Sequence, residues 1–268
     1  MIHMSIEYSV EDHIATLRLN RPERYNALNV ETMELLGKKL TEFRDDPDAW
    51  VLIITGAGEK AFCAGADLTG TTPPAEPFAT SLLGGGPVTD AMYIRHMQIS
   101  RLNITKPMIA AINGHAFGGG MEIALACDMR IASNKATFAL SEVKVGTIPS
   151  LGGIQWLVRA IPSAIAMKML LTGEKIDAAE AKRVGLVSDV YEPGELMDAA
   201  KNMARTICAN APLAVRAVKY LATRGWNVPF EEAVGMEELL WGILRNTHDR
   251  IEGRQAFTEK RPPKYEGR

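Results

Sequence analysis

Glu122 and the glycines before it form the first place where residue type and spacing suggest chemistry. In Asn113-Gly114-His115-Ala116-Phe117-Gly118-Gly119-Gly120-Met121-Glu122, three consecutive glycines open an apolar run, IALAC, with a helical look. Nothing about folding alone demands three glycines there. Glycines ahead of a helix let a ligand approach the backbone, and the free N–H groups of the first turn present partial positive charge to an anion. An enolate oxygen is such an anion. It forms when a proton leaves the carbon beside a thioester carbonyl, or when a nucleophile adds to the conjugated alkene. Two fixed N–H donors would stabilise it, each worth roughly 3–4 kcal/mol. Glu122 could then carry a proton on one face of the substrate. The plainer reading, an acidic residue favoured by the helix dipole, stays open on these residues alone.

A second glycine-rich segment, Gly56-Ala57-Gly58-Glu59-Lys60-Ala61, formally matches a dinucleotide fingerprint after a strand. That fingerprint needs a helix opening within it and an acidic residue about 20 positions on. Here AFCAGADL runs instead into a Pro-rich stretch, so Gly56, Gly58 and Gly65 read as turn glycines. The five histidines lack HxxxH or HxH spacing, and Cys63, Cys127 and Cys208 show neither an even framework nor CxxC, so no metal and no disulfide is expected. A reducing, cytoplasmic setting fits. Formal net charge is −2 with both signs mixed, which provides no basic stripe for nucleic acid, and no run approaches a membrane span.

The elements that must position these residues can be read from periodicity. At 268 residues and 47% hydrophobic, the chain suits one α/β domain of ordinary size. Ile6 to Asn20 alternates as a hairpin with Glu11-Asp12 at its turn, and Met33 to Phe43 has helical spacing behind a cap near Asn29. Val51–Thr55, Pro107–Asn113 and Asp128–Ala132 read as buried strands of a mainly parallel sheet. Residues 70 to 87 read as a long loop of the kind that covers binding sites. Leu196 to Ala209, Leu213 to Leu221 and Glu231 to Leu244 carry helical periodicity, so the last hundred residues look like a helical subregion.

AFCAGADL (61 to 68), NGHAFGGGMEIALACD (113 to 128) and FALSEVKVGTIPSLGG (138 to 153) resemble, in order and in spacing, the three signature segments of the crotonase superfamily. The resemblance runs from RPERYNAL (21 to 28) through LTGEKIDAAEAKRVGLVSDV to AFTEKR (256 to 261), and is closest in pattern to enoyl-CoA hydratases. It implies a crotonase-like spiral of ββα units over 1–195, followed by a helical trimerisation region over 196–268. It also implies self-association as a trimer or a dimer of trimers.

By the same resemblance, the N–H groups of Ala66 and Gly119 form an oxyanion hole, and Glu122 and Glu142 are the catalytic pair. Glu122 helps activate a water for attack at C3 and Glu142 exchanges the C2 proton, while Ser150 orients the water. Coenzyme A, as part of the acyl-CoA substrate, would lie along Arg24, Tyr25, Ala27, Ala64, Asp67 and Leu68. Phe257 and Lys260 would reach it from the tail, against the plainer expectation of a solvated terminus. Leu82, Leu83, Met92 and Met97 are acyl-pocket or core candidates. Ser141 stands where proline often precedes the second glutamate, Ser150 where glycine is frequent, and Trp156 where relatives carry arginine. The rivals are another crotonase reaction (isomerisation, decarboxylation or hydrolysis) and a noncatalytic CoA-binding or RNA-associated assembly protein.

Overall fold

The computed structural model describes residues 4–69 and 99–268. Six strands form the main sheet, in the order β1 (Ile6–Glu11), β2 (Ile14–Leu19), β3 (Val51–Gly56), β5 (Met108–Ile112), β7 (Met129–Ser133), β10 (Asp189–Tyr191). Only β1 and β2 pair antiparallel, with Ile6 opposite Leu19 and Glu11 opposite Ile14; the rest of this sheet is parallel. The hairpin turn is Asp12-His13, both at positive φ, one residue later than the sequence pattern suggests. A second sheet holds β4 (Ala61–Cys63), β6 (His115–Phe117), β8 (Thr137–Ala139) and β9 (Ile176–Asp177) in that order.

The main sheet is buried on both faces, and β3 divides its side chains between them with period two. Leu52 and Ile54 face a core that includes Leu36, Leu40 and Phe43 of helix α1 (Val30–Asp45). Val51 and Ile53 face a second core with Ile109, Ile131 and, from a later helix (Leu196–Cys208), Leu196, Ala200 and Ala204. Each such aliphatic side chain withdrawn from water contributes about 1.5–3 kcal/mol. Asn29 caps α1 by accepting the Thr32 N–H at 2.8 Å, the cap its sequence advertises.

The remaining α-helices among the described residues are α2 (Gly119–Ala126), α3 (Gly153–Ala160), α4 (Ser163–Thr172), α5 (Ala178–Arg183), α6 (Leu196–Cys208), α7 (Pro212–Gly225), α8 (Phe230–Leu244) and α9 (His248–Glu259). Phe257 lies on α9, and Lys260 follows its last residue. Residues 264–267 fold back on it, where Asp249 accepts the Glu266 and Gly267 N–H groups, each at 2.8 Å. Gly56 ends β3 where its backbone crosses the next strand: a Cβ there would lie 2.4 Å from the Ala61 carbonyl oxygen. No helix opens in 56–61, which removes the dinucleotide reading. The proposed loop at 70–87, with Leu82, Leu83, Met92 and Met97, lies outside the described residues.

Candidate active site

Three short parallel strands bring the chemistry-bearing residues to one edge. β6 pairs in parallel with β4 on one side and β8 on the other. Their carboxyl ends therefore emerge together, the position where ligands bind in open parallel sheets. β4 runs into Gly65-Ala66, β6 into Gly118-Gly119, and β8 into Ser141-Glu142. The Gly118 N–H donates to the Ala139 carbonyl at 3.0 Å and ties the last two together.

At this edge two backbone N–H groups are left over. Leu28 and Ala66 form a parallel bridge in which the Leu28 N–H bonds the Gly65 carbonyl and the Asp67 N–H bonds the Leu28 carbonyl. That alternation turns the Ala66 N–H away from Leu28, and it has no protein acceptor among the described residues. Gly119 is the first residue of α2, so its N–H has no intrahelical acceptor either. The segments touch: a Cβ on Gly65, whose φ is +91°, would lie 3.2 Å from the Gly119 nitrogen.

The three glycines turn out to have different reasons, and two of them are demands of folding, contrary to the sequence expectation. Gly118 has φ 51° and ψ −126°, closed to L side chains. Gly120 packs backbone against backbone, since a Cβ there would lie 2.1 Å from the Cys63 carbonyl oxygen. Gly119 alone meets only an ordinary contact, 3.4 Å from Leu28 Cδ1.

Glu122 is 3% exposed, and its Oε1 accepts the Leu151 N–H at 2.7 Å and the Gly153 N–H at 2.9 Å. The Ser150 N–H also faces this carboxylate. Gly153 opens α3, so Glu122, already in the first turn of its own helix, also faces the start of the next one. Burial raises the pKa of Glu122, and the three N–H donors oppose that rise.

Glu142 opens a 3-10 turn, Glu142–Val145, half-buried, with its Oε1 3.3 Å from where a Gly118 Cβ would stand. Its Oε2 is buried and has no hydrogen-bond partner among the described residues. Burial pushes its pKa up to about 7; its own backbone N–H works against this, and the Glu122 charge adds to it. The two carboxylates thus lie within electrostatic reach, one with its Oε1 held by backbone donors and the other holding an unused acceptor.

Among the cofactor candidates, Ala27, Ala64, Asp67 and Leu68 flank the Leu28–Ala66 bridge, and Tyr25 receives the Ala64 N–H on its carbonyl at 3.0 Å. Tyr25 is exposed with Lys60 over its ring, and Arg24 is exposed. Phe257, 87% exposed, lies on α9, and Lys260 caps that helix at φ 54°. Sequence reasoning missed Arg21, whose guanidinium pairs with Asp67 at 3.0 Å and donates to the Ala27 carbonyl at 2.6 Å. It also missed Asn26, buried and bonded to the Ala57 and Ala61 carbonyls, which holds the turn beneath them. The Leu151 and Gly153 amides escaped notice because backbone donors leave no side-chain signal. Among the described residues, no group of three His, Cys, Asp or Glu side chains could hold a metal ion.

The parallel-stranded main sheet, the second sheet of short strands and the helices that follow them form a crotonase fold. Residues 9–268 match the enoyl-CoA hydratase/isomerase family, and the chain belongs to it. It is 49% identical to an (E)-benzylidenesuccinyl-CoA hydratase of Thauera aromatica, covering 98% of this chain and 100% of that one. A carnitinyl-CoA dehydratase of Proteus mirabilis is 39% identical over 98% of this chain and 99% of its own. Among solved structures, an enoyl-CoA hydratase from Bacillus anthracis superposes with a TM-score of 0.88 at 36% identity, covering 99% and 100% of the two chains.

Proposed function

We propose that the protein adds water across the C2–C3 double bond of an enoyl-CoA thioester, or removes it in reverse. The observation that carries this reading is the buried Glu142 Oε2 without a partner, beside a Glu122 whose carboxylate is held by backbone amides. A buried polar atom left unpaired calls for a ligand or water partner.

In the hydration direction, the Ala66 and Gly119 N–H groups receive the thioester oxygen as charge builds on it. Ionised Glu122 draws a proton from water as the water oxygen bonds C3. The electron pair of the double bond moves onto the thioester, and protonated Glu142 delivers its proton to C2. The pKa of about 7 suits Glu142 to both giving and receiving it near neutrality. Dehydration runs the same transfers backwards.

The CoA moiety lies along Arg24, Tyr25, Ala27, Ala64, Asp67 and Leu68, with Phe257 and Lys260 contributing from the C-terminal helix. Ser150 belongs to the water-holding turn through its amide. We assign 1–195 to the catalytic core and 196–268 to a region that assembles trimers or pairs of trimers. Trp226, Phe230, Leu239, Trp241 and Ile243, all exposed, support that assembly. A cytoplasmic setting is consistent with three unpaired cysteines. The names of the relatives, (E)-benzylidenesuccinyl-CoA hydratase and carnitinyl-CoA dehydratase, make aryl-substituted and quaternary-ammonium-bearing C4 enoyl-CoA thioesters the first substrates to test. The test follows loss of the conjugated enoyl thioester absorbance across that panel. Turnover of one member with water incorporated at C3 supports the reading; isomerisation, decarboxylation or thioester hydrolysis without water addition overturns it.

A further inference from the structure

Trp156 lies one turn into α3, four residues after the N-cap Gly152, and takes no part in the mechanism above. Helical side chains lean toward the N-terminus, and here the indole folds back over that cap. A Cβ on Gly152 would lie 3.2–3.4 Å from three atoms of its benzo ring. On the next residue, a Cβ on Gly153 would lie 2.7 Å from Glu122 Cγ and 2.9 Å from Glu122 Oε1. The turn is therefore sandwiched, with the indole against Gly152 and the Glu122 side chain against Gly153. Gly152 sits at φ +106°, a conformation open to glycine and rarely adopted by other residues. The Trp156 backbone N–H donates to the Gly152 carbonyl at 3.0 Å as part of the helix, and the indole is half-buried against the main core.

We propose that Trp156 is a positioning residue: its ring clamps the Gly152 turn so that the Leu151 and Gly153 N–H groups hold the Glu122 carboxylate in its reacting orientation. This rests on the hydratase reading for its kinetic consequence. Helix ends fray, and Leu151 and Gly153 flank the cap of α3. With the indole removed, the turn has room to move and Glu122 moves with it.

The test is a double-mutant cycle combined with amide hydrogen exchange. Trp156→Ala should lower kcat about 10- to 100-fold, as displacement of a reacting group by about 1 Å does, with KM changed less than about 3-fold. Trp156→Phe should retain most of the rate. In a Glu122→Gln background, Trp156→Ala should change the residual kcat less than about 2-fold, because its effect passes through the side chain already replaced. Exchange of the Leu151 and Gly153 amides should quicken about 10-fold or more in Trp156→Ala and stay slow in Trp156→Phe. Equal losses in both backgrounds, or a rise in KM at constant kcat, overturn the proposal. The first means general packing, and the second means a wall of the acyl pocket. If the wild type hydrates no thioester of the panel, the hydratase reading falls by itself. The exchange data then decide the clamp, and unchanged protection refutes it.

Discussion

Replacing Glu142 by glutamine should change stability in a pH-dependent way whose size follows from its surroundings. Burial first, and the Glu122 charge in addition, raise the Glu142 pKa from 4.5 to about 7. Below 4.5 the carboxyl is protonated in folded and unfolded chains alike and contributes no pH dependence. Between 4.5 and about 7 the folded state binds the proton more tightly, so wild-type stability falls as pH rises through that window. Above it the full cost of a buried charge is present. At about 1.4 kcal/mol per pH unit the interval corresponds to roughly 3 kcal/mol, and screening at a half-buried group reduces this to roughly 1–2 kcal/mol. Glutamine cannot ionise and escapes the cost. Urea unfolding of both proteins at pH 5 and pH 8 gives two values of ΔΔG, and pH effects common to the two proteins cancel in their difference. Glu142→Gln should gain roughly 1–2 kcal/mol on wild type between the two pH values. An equal ΔΔG at both, or a relative loss at pH 8, would refute the burial argument for this carboxyl.

Other consequences can be checked in parallel. Hydration kcat/KM should decline above about pH 7 as Glu142 loses its proton, and the decline should begin at lower pH in Glu122→Gln, where the neighbouring charge is gone. Gly118→Ala should cost about 1–3 kcal/mol, since it forces a Cβ into φ 51°, ψ −126° beside Glu142. Gly120→Ala should cost more, through its clash with the Cys63 carbonyl, while Gly119→Ala should stay folded; thermal unfolding ranks the three. Arg21→Ala leaves Asp67, with a side chain 10% exposed, without its guanidinium. It should lose about 1–3 kcal/mol of stability and raise KM for acyl-CoA several-fold, read by unfolding and steady-state kinetics.

Much of the frame was legible because it is built from long periodic segments. The Asn29 cap, the apolar spacing of α1 and the β-branched run at Val51 each announced their elements. The second sheet was not, because Ala61–Cys63, His115–Phe117, Thr137–Ala139 and Ile176–Asp177 are too short for alternation to register. α9 was hidden by a sequence, HDRIEGRQAFTE, with no sustained apolar stripe. At the site, the two glutamates and the glycines of 118–120 stood out as residue types, but the reason for each glycine did not. A steric clash such as that of Gly120 with Cys63 exists only once β4 and α2 are packed. The same holds for the amides of Leu151 and Gly153, donors that every residue except proline possesses, whose direction comes from the Gly152 turn.

The central claim is that two carboxylates share one water above paired peptide donors, and it is tested most directly by turnover of an enoyl-CoA substrate in Glu122→Gln and Glu142→Gln. Each variant should fold, bind coenzyme A within about 3-fold of wild type, and lose about 10²- to 10⁴-fold in kcat. Hydration by either variant within about 10-fold of the wild-type rate would contradict the account.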